Sequence, residues 1–206
     1  MATKSEFSLL GLAHKFCLAA EAQGYTPEFL NDLAEKPKLL AGMYDVQRGL
    51  SEIRRIEHVF DRSKTPRFPF LGAQIEEHNG AGTSCLEKKA DGLYLDGKKI
   101  ILQIVQSQKN GTIVGIMIRE KLSKKPVLDV TILDYLLDHP ELIPEDWKRD
   151  EDGRTRYIYF WGTVYRRLDD YLYVRCMFWS SGTWQAHYRW IANDWLANYP
   201  AAMSAS

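Results

Sequence analysis

Apolar positions change period along this chain. Over residues 5–23 they recur at helical spacing (Leu9, Leu12, Phe16, Ala19, Ala20) until Gly24 stops the run. Thr26 before Pro27 and Glu28 predicts an N-cap with proline in the first turn, opening a short helix through Leu30 and Leu33. A third helix is predicted from Pro37, with Leu40, Met43 and Val46 on one side and Gly49 at its end. Residues 53–60 fit a helix or a strand equally. Residues 61–72, with Pro66 and Pro69, read as an irregular connection, and the polar, glycine-bearing segment 76–85 reads as a loop.

Further along, residues 93–95 and 100–105 predict two strands joined by an Asp96-Gly97 turn, a strong hairpin signal. Asn110-Gly111 marks another turn. Residues 112–124 then fit either a strand or a helix capped by Thr112, with Val114, Met117, Ile118 and Leu122 inward; the helix is favoured. Residues 130–137 predict a helix with Ile132, Leu133, Leu136 and Leu137 on its apolar side, and Pro140 and Pro144 enforce its end.

In the last third the period drops to two. Runs 156–165, 171–179 and 184–191 predict three strands joined by short turns, hence an antiparallel meander. Read by alternation, Tyr157, Tyr159, Trp161, Thr163 and Tyr165 share a face with Tyr171, Tyr173, Arg175, Met177 and Trp179. Ile158, Phe160, Gly162, Val164, Leu172, Val174, Cys176 and Phe178 take the other. The expectation is an α+β fold in one domain, 1–206: a helical part (1–50), a mixed part (51–150) and a three-stranded antiparallel meander (151–200).

The 27 basic and 27 acidic residues cancel, so the chain lacks the basic excess usual in non-specific nucleic-acid or membrane binders. The balance is uneven locally: residues 98–125 hold seven Lys or Arg and one acid, whereas 129–152 hold nine acids with Lys148 and Arg149. Three widely spaced cysteines (Cys17, Cys85, Cys176) form neither a disulfide framework nor a paired zinc motif. No run of 18 apolar residues occurs, and His14 and Lys15 interrupt the amino-terminal apolar stretch. The expectation is a reduced, cytoplasmic setting without a membrane partner.

Several stretches resemble a family of small uncharacterised bacterial proteins: KPVLDVTILDYLLDHPELIPEDWK at 125–148, FWGTVYR at 160–166, YVRC at 173–176 and the ending 195–202. Fainter similarity extends to GYTP at 24–27 and IEEH at 75–78. The resemblance implies one inherited unit in a bacterial cell, and it transfers no activity, cofactor or catalytic residue.

Three chemistries are open to these residues. All six tryptophans lie between 147 and 195, so an aromatic and arginine-bearing sheet face (Tyr157, Tyr159, Trp161, Tyr165, Tyr173, Arg175, Trp179) is the leading binding surface. Such residues are typical hot spots for a protein partner, and a non-catalytic binding protein is the first expectation. With Arg166, Arg167 and Arg189 interleaved, the same face would also suit single-stranded nucleic acid. The third is a metal- or thiol-dependent hydrolase at His78 and Cys85, with Glu77, Glu76, His58 and Asp61 near them in sequence. No spacing matches a known catalytic motif, and no cofactor is expected. Gly80-Ala81-Gly82 is too weak a pattern to place phosphate.

Overall fold

The computed structural model describes residues 58–109 and 111–205, with isolated positions before them. The chain divides into Met1–Ile56, where only those isolated positions are described, and Glu57–Ser206, which is the subject from here on. The helices expected over 5–23, from Thr26 and from Pro37 fall almost wholly outside the described residues.

The second unit is built on strands. They are β1 (His58–Asp61), β2 (Gln74–His78), β3 (Thr83–Lys89), β4 (Gly92–Leu95), β5 (Lys98–Gln103), β6 (Ile113–Val114), β7 (Tyr157–Tyr159), β8 (Thr163–Arg166), β9 (Leu172–Ser180), β10 (Thr183–Trp190), β11 (Asp194–Trp195) and β12 (Ala201–Ser204). Three α-helices punctuate them among the described residues: α1 (Gln106–Lys109), α2 (Gly115–Leu122) and α3 (Val130–Asp138). The α+β expectation ending in a three-stranded meander is therefore corrected. Ten strands form one mixed sheet, ordered β1-β3-β4-β5-β12-β7-β9-β8-β2, with β10 on β9 and a separate β6–β11 pair.

Local chemistry explains the turns. Asp96 and Gly97 both have positive φ (50° and 78°), as do Ser181 and Gly182 (51° and 79°), the conformation of a tight two-residue hairpin turn. Helix α3 starts at Asp129, whose carboxylate accepts the Thr131 N–H, and it stops where His139 precedes Pro140. Helix α2 begins at Gly115, and Val114 rather than Thr112 is its cap.

Of the segment 76–85 only residues 79–82 are a loop. Residues 74–78 pair antiparallel with β8, and 83–89 lie between β1 and β4. Polar side chains tolerate this because β2 is an exposed edge strand whose acids find cations: Glu76 pairs with Arg166, and Glu77 with Arg119.

The first run of the expected meander is also broken. Residues 157–159 pair with one half of β9 (176–178), and 165–166 with the other (172–173). At the break, Gly162 donates to the Leu128 carbonyl (2.9 Å) and accepts from the Asn79 N–H (2.9 Å). A Cβ there would sit 2.8 Å from both Asp129 N and Leu128 C, so the backbone entering α3 crosses the sheet at a residue without a side chain. The sheet curls beyond this point. Arg62, just past β1, accepts through its carbonyl from His78 at the end of β2 (3.3 Å), although the two strands are opposite ends of the strand order.

The curl encloses one core cluster, in which Ile132, Leu133 and Leu136 of α3 meet Leu86, Leu93, Ile158, Tyr165 and Met177. A second cluster covers the other face, where Ile118 and Leu122 of α2 and Trp195 of β11 pack on Tyr159, Val174 and Cys176.

Candidate functional site

The interruption at Gly162 shifts the alternation by one residue. Tyr159 and Trp161 belong to the second cluster, with Tyr157 against it, while Tyr165 and Tyr173 belong to the first. The aromatic face expected from strict alternation is thus divided between the two sides of the sheet. Most of it is also closed to solvent: Tyr159, Trp161, Tyr165, Tyr173 and Arg175 are all buried. Tyr159 lies edge-on to Trp195 (4.2 Å between centroids), and Tyr157, half-buried, stacks on Phe178 (4.8 Å). Arg175 faces Asp134 at 2.8 Å and donates to the Arg67 carbonyl at 2.8 Å. Trp179 is half-buried beneath the Lys148 ammonium, 3.8 Å from its ring centroid.

The arginines that would hold phosphates have partners inside the fold. Arg166 is clamped by Glu76 and Asp170, Arg167 by Asp169, and Arg189 donates to the Asp194 carbonyl while lying over Trp195 and Tyr199.

Burial has a consequence for pH. It is the main cause that raises the Tyr159 hydroxyl well above its ordinary value, and that pushes Tyr165 and Cys176 each up to about 12. Unfolded tyrosine and cysteine titrate near ~10 and ~8.5. The folded state therefore keeps protons that the unfolded chain releases, and this contribution is complete below those unfolded values. As pH rises past them stability falls, by up to about 1.4 kcal/mol per pH unit for each group, until the folded values are reached. Urea midpoints measured between pH 8 and 11 should drop steadily, with phenolate absorbance lagging until unfolding. Full phenolate absorbance at ordinary tyrosine pH in the folded protein would contradict this burial.

His78, Glu77 and Cys85 do not assemble into a catalytic group. His78 Nδ1 lies 2.7 Å from Thr163 Oγ1 and Nε2 3.3 Å from the Arg62 carbonyl, so both nitrogens are engaged. Thr163 also accepts from the Val130 N–H (3.3 Å), which ties the imidazole to the start of α3. An open groove of about 880 Å³ passes between His78 and Arg119. Cys85 does not line it. Its Sγ lies 3.8 Å from the Leu86 carbonyl, and its N–H donates to Asp96. Glu77 is spent on Arg119, and Asp61 on Ser63. His58 lies beside His139 rather than His78, with ring centroids 5.3 Å apart.

What remains outward is the margin of the sheet. Three strands of the large sheet have only one neighbour among the described residues: β1, β2 and β10. Strand β1 has four residues and ends in Asp61; β2 is bulged between Ile75 and Glu77 and carries two acids. These are the usual guards of an open edge. Strand β10 has none of them. It runs eight residues, Thr-Trp-Gln-Ala-His-Tyr-Arg-Trp, in unbroken register with β9.

The Ile191 N–H donates to the Leu172 carbonyl (2.9 Å), which fixes the phase of the ladder. Odd-numbered residues of β10 bond to β9, and Trp184, Ala186, Tyr188 and Trp190 direct their N–H and C=O away from it. Thr183, Gln185, Ala186 and His187 are exposed, and Trp184, Tyr188 and Trp190 are half-buried against the first cluster. The sequence marked β10 as a strand, but nothing local marked it as an edge.

Among the described residues no helix is long and apolar enough to cross a membrane. Compared with known proteins, the chain matches no family model, no curated protein and no solved structure.

Proposed function

We propose that this is a binding protein that recognises a protein partner by taking an extended segment of it as a further strand on β10. The observation that carries the reading is the eight-residue edge without proline, acid, lysine or bulge, offering four outward N–H groups and the outward carbonyls of Ala186 and Tyr188. The carbonyls of Trp184 and Trp190 accept from the Thr183 hydroxyl and the Asn193 N–H. Unpaired edge groups are a template for another chain, and proteins that do not use them generally block them. In strand addition the main chain supplies affinity and pockets for alternate side chains supply selectivity. Trp184, Tyr188 and Trp190, with Trp179 opposite Trp184, place half-exposed rings along one side of that edge. Such rings offer anchors at little entropic cost.

Ala186 provides the test, because its N–H points away from β9 and its side chain is small and exposed. Decapeptides selected from a displayed random library on the full chain should protect the amides of Trp184, Ala186, Tyr188 and Trp190 from hydrogen exchange. Ala186→Pro should lower their affinity at least roughly tenfold, the value of about 1.4 kcal/mol, by removing one edge donor. Peptides that bind equally well to the proline variant, or that leave these four amides unprotected, would refute strand addition.

A further inference from the structure

Away from β10, a second constellation has the chemistry of a metal centre. We propose that His58, His139 and Glu141 bind one divalent transition-metal ion of the zinc type. Their potential ligand atoms all lie within 4.8 Å of one another. His139 Nδ1 and Glu141 Oε1 are 3.4 Å apart. Metal–ligand distances of ~2.0–2.2 Å in a tetrahedral zinc site place neighbouring donors about 3.4 Å apart, so this pair already has the required separation. His58, half-buried, completes the set from within 4.8 Å.

The donors come from elements that the fold holds together. His58 opens β1, His139 caps the carboxy end of α3, and Glu141 lies in the 3-10 turn Pro140–Leu142. Tyr135 organises both imidazoles: its ring packs 4.4 Å from that of His139, and its hydroxyl lies 3.3 Å from His58 Nδ1. Phe60 stacks on the other side of Tyr135 at 4.4 Å. An acceptor on the second nitrogen of a ligating histidine fixes its tautomer and ring plane, and the Tyr135 hydroxyl stands in that place for His58. Lys88 fastens the turn by donating to the Glu141 carbonyl at 2.6 Å.

The carboxy end of α3 carries the partial negative charge of the helix dipole, which favours a cation there. Two imidazoles and one carboxylate suit zinc, cobalt or nickel, whereas calcium and magnesium call for oxygen donors. Glu141 is exposed, so water can complete the coordination.

Metal-free full-length protein titrated calorimetrically with zinc chloride should take up one equivalent at these residues. A hundredfold excess of zinc over Kd should raise Tm by roughly 5–10 °C. His58→Ala, His139→Ala and Glu141→Ala should each weaken binding by about a hundredfold or more, and Tyr135→Phe by about 10–100-fold, with His187→Ala unchanged. Glu141 is exposed, so its variant tests the centre without threatening the fold. Absence of zinc uptake by the wild type, or wild-type affinity in Glu141→Ala and His139→Ala, would overturn the assignment.

Discussion

Asp129→Ala will cost the fold about 4–6 kcal/mol, a large part of the 5–15 kcal/mol typical of a domain. Its carboxylate is fully buried and does three things at once. One oxygen caps α3, accepting from the Thr131 N–H at 2.9 Å and from the Thr131 hydroxyl. The other accepts from Arg62, with Nε at 2.9 Å. Arg62 in turn gives its carbonyl to His78 and its N–H to the Gly82 carbonyl (2.8 Å), so the ion pair sits where the two ends of the curled sheet meet. Alanine removes a helix cap, worth about 1 kcal/mol, and leaves a mostly buried guanidinium without its counter-charge, worth about 3–5 kcal/mol. Asp129→Asn keeps an acceptor for the cap and loses only the charge, so it should fall between wild type and alanine. Urea midpoints for the three proteins check the order. Equal midpoints would mean that Arg62 turns into solvent and that the closure of the sheet does not depend on it.

Local signals carried the parts of this fold that local chemistry decides. Asp96-Gly97 predicts its hairpin because both residues accept positive φ. The 130–137 run predicts α3, whose apolar positions and flanking Pro140 belong to one short segment. The elements that local signals misread or left unassigned take their identity from distant partners. Strand β2 shows no alternation, because its polar side chains are satisfied by Arg166 and Arg119 rather than by a buried face. Strand β12, Ala-Ala-Met-Ser, is a strand by virtue of pairing β5 antiparallel and β7 parallel.

The expected aromatic face is divided for a related reason. Counting by twos from Tyr157 to Tyr165 passes through Gly162, and the chain that displaces the count comes from residues 128–129. Aromatic content also has the same composition whether rings fill a core or line a surface, and here most fill two cores. The run 184–191 was legible as a strand, while its place at the margin is a property of the sheet order. The association of His58 with His139 is likewise created by folding alone.

The strongest contrast between the two views of the aromatic face falls on Arg175. On an exposed recognition surface, its removal would leave the melting temperature nearly unchanged. In the fold its guanidinium is buried against Asp134, and a closed circuit runs through Arg67: Arg175 and the Tyr165 hydroxyl both donate to the Arg67 carbonyl at 2.8 Å, while the Arg67 N–H donates to Asp134 Oδ2 at 2.8 Å. Arg175→Met preserves most of the side-chain length and strands a carboxylate in the core, so it should cost about 3–5 kcal/mol and lower Tm by roughly 6–20 °C. The double variant Asp134→Asn with Arg175→Met removes both charges and keeps an acceptor for the Arg67 N–H. Its cost should shrink to about 1–2 kcal/mol, because the penalty of a lone buried charge exceeds the net value of the pair. Recovery in the double variant separates lost electrostatic balance from lost packing, since both proteins carry the same methionine. A single variant that melts with the wild type would instead return Arg175 to the surface, and the whole aromatic face with it.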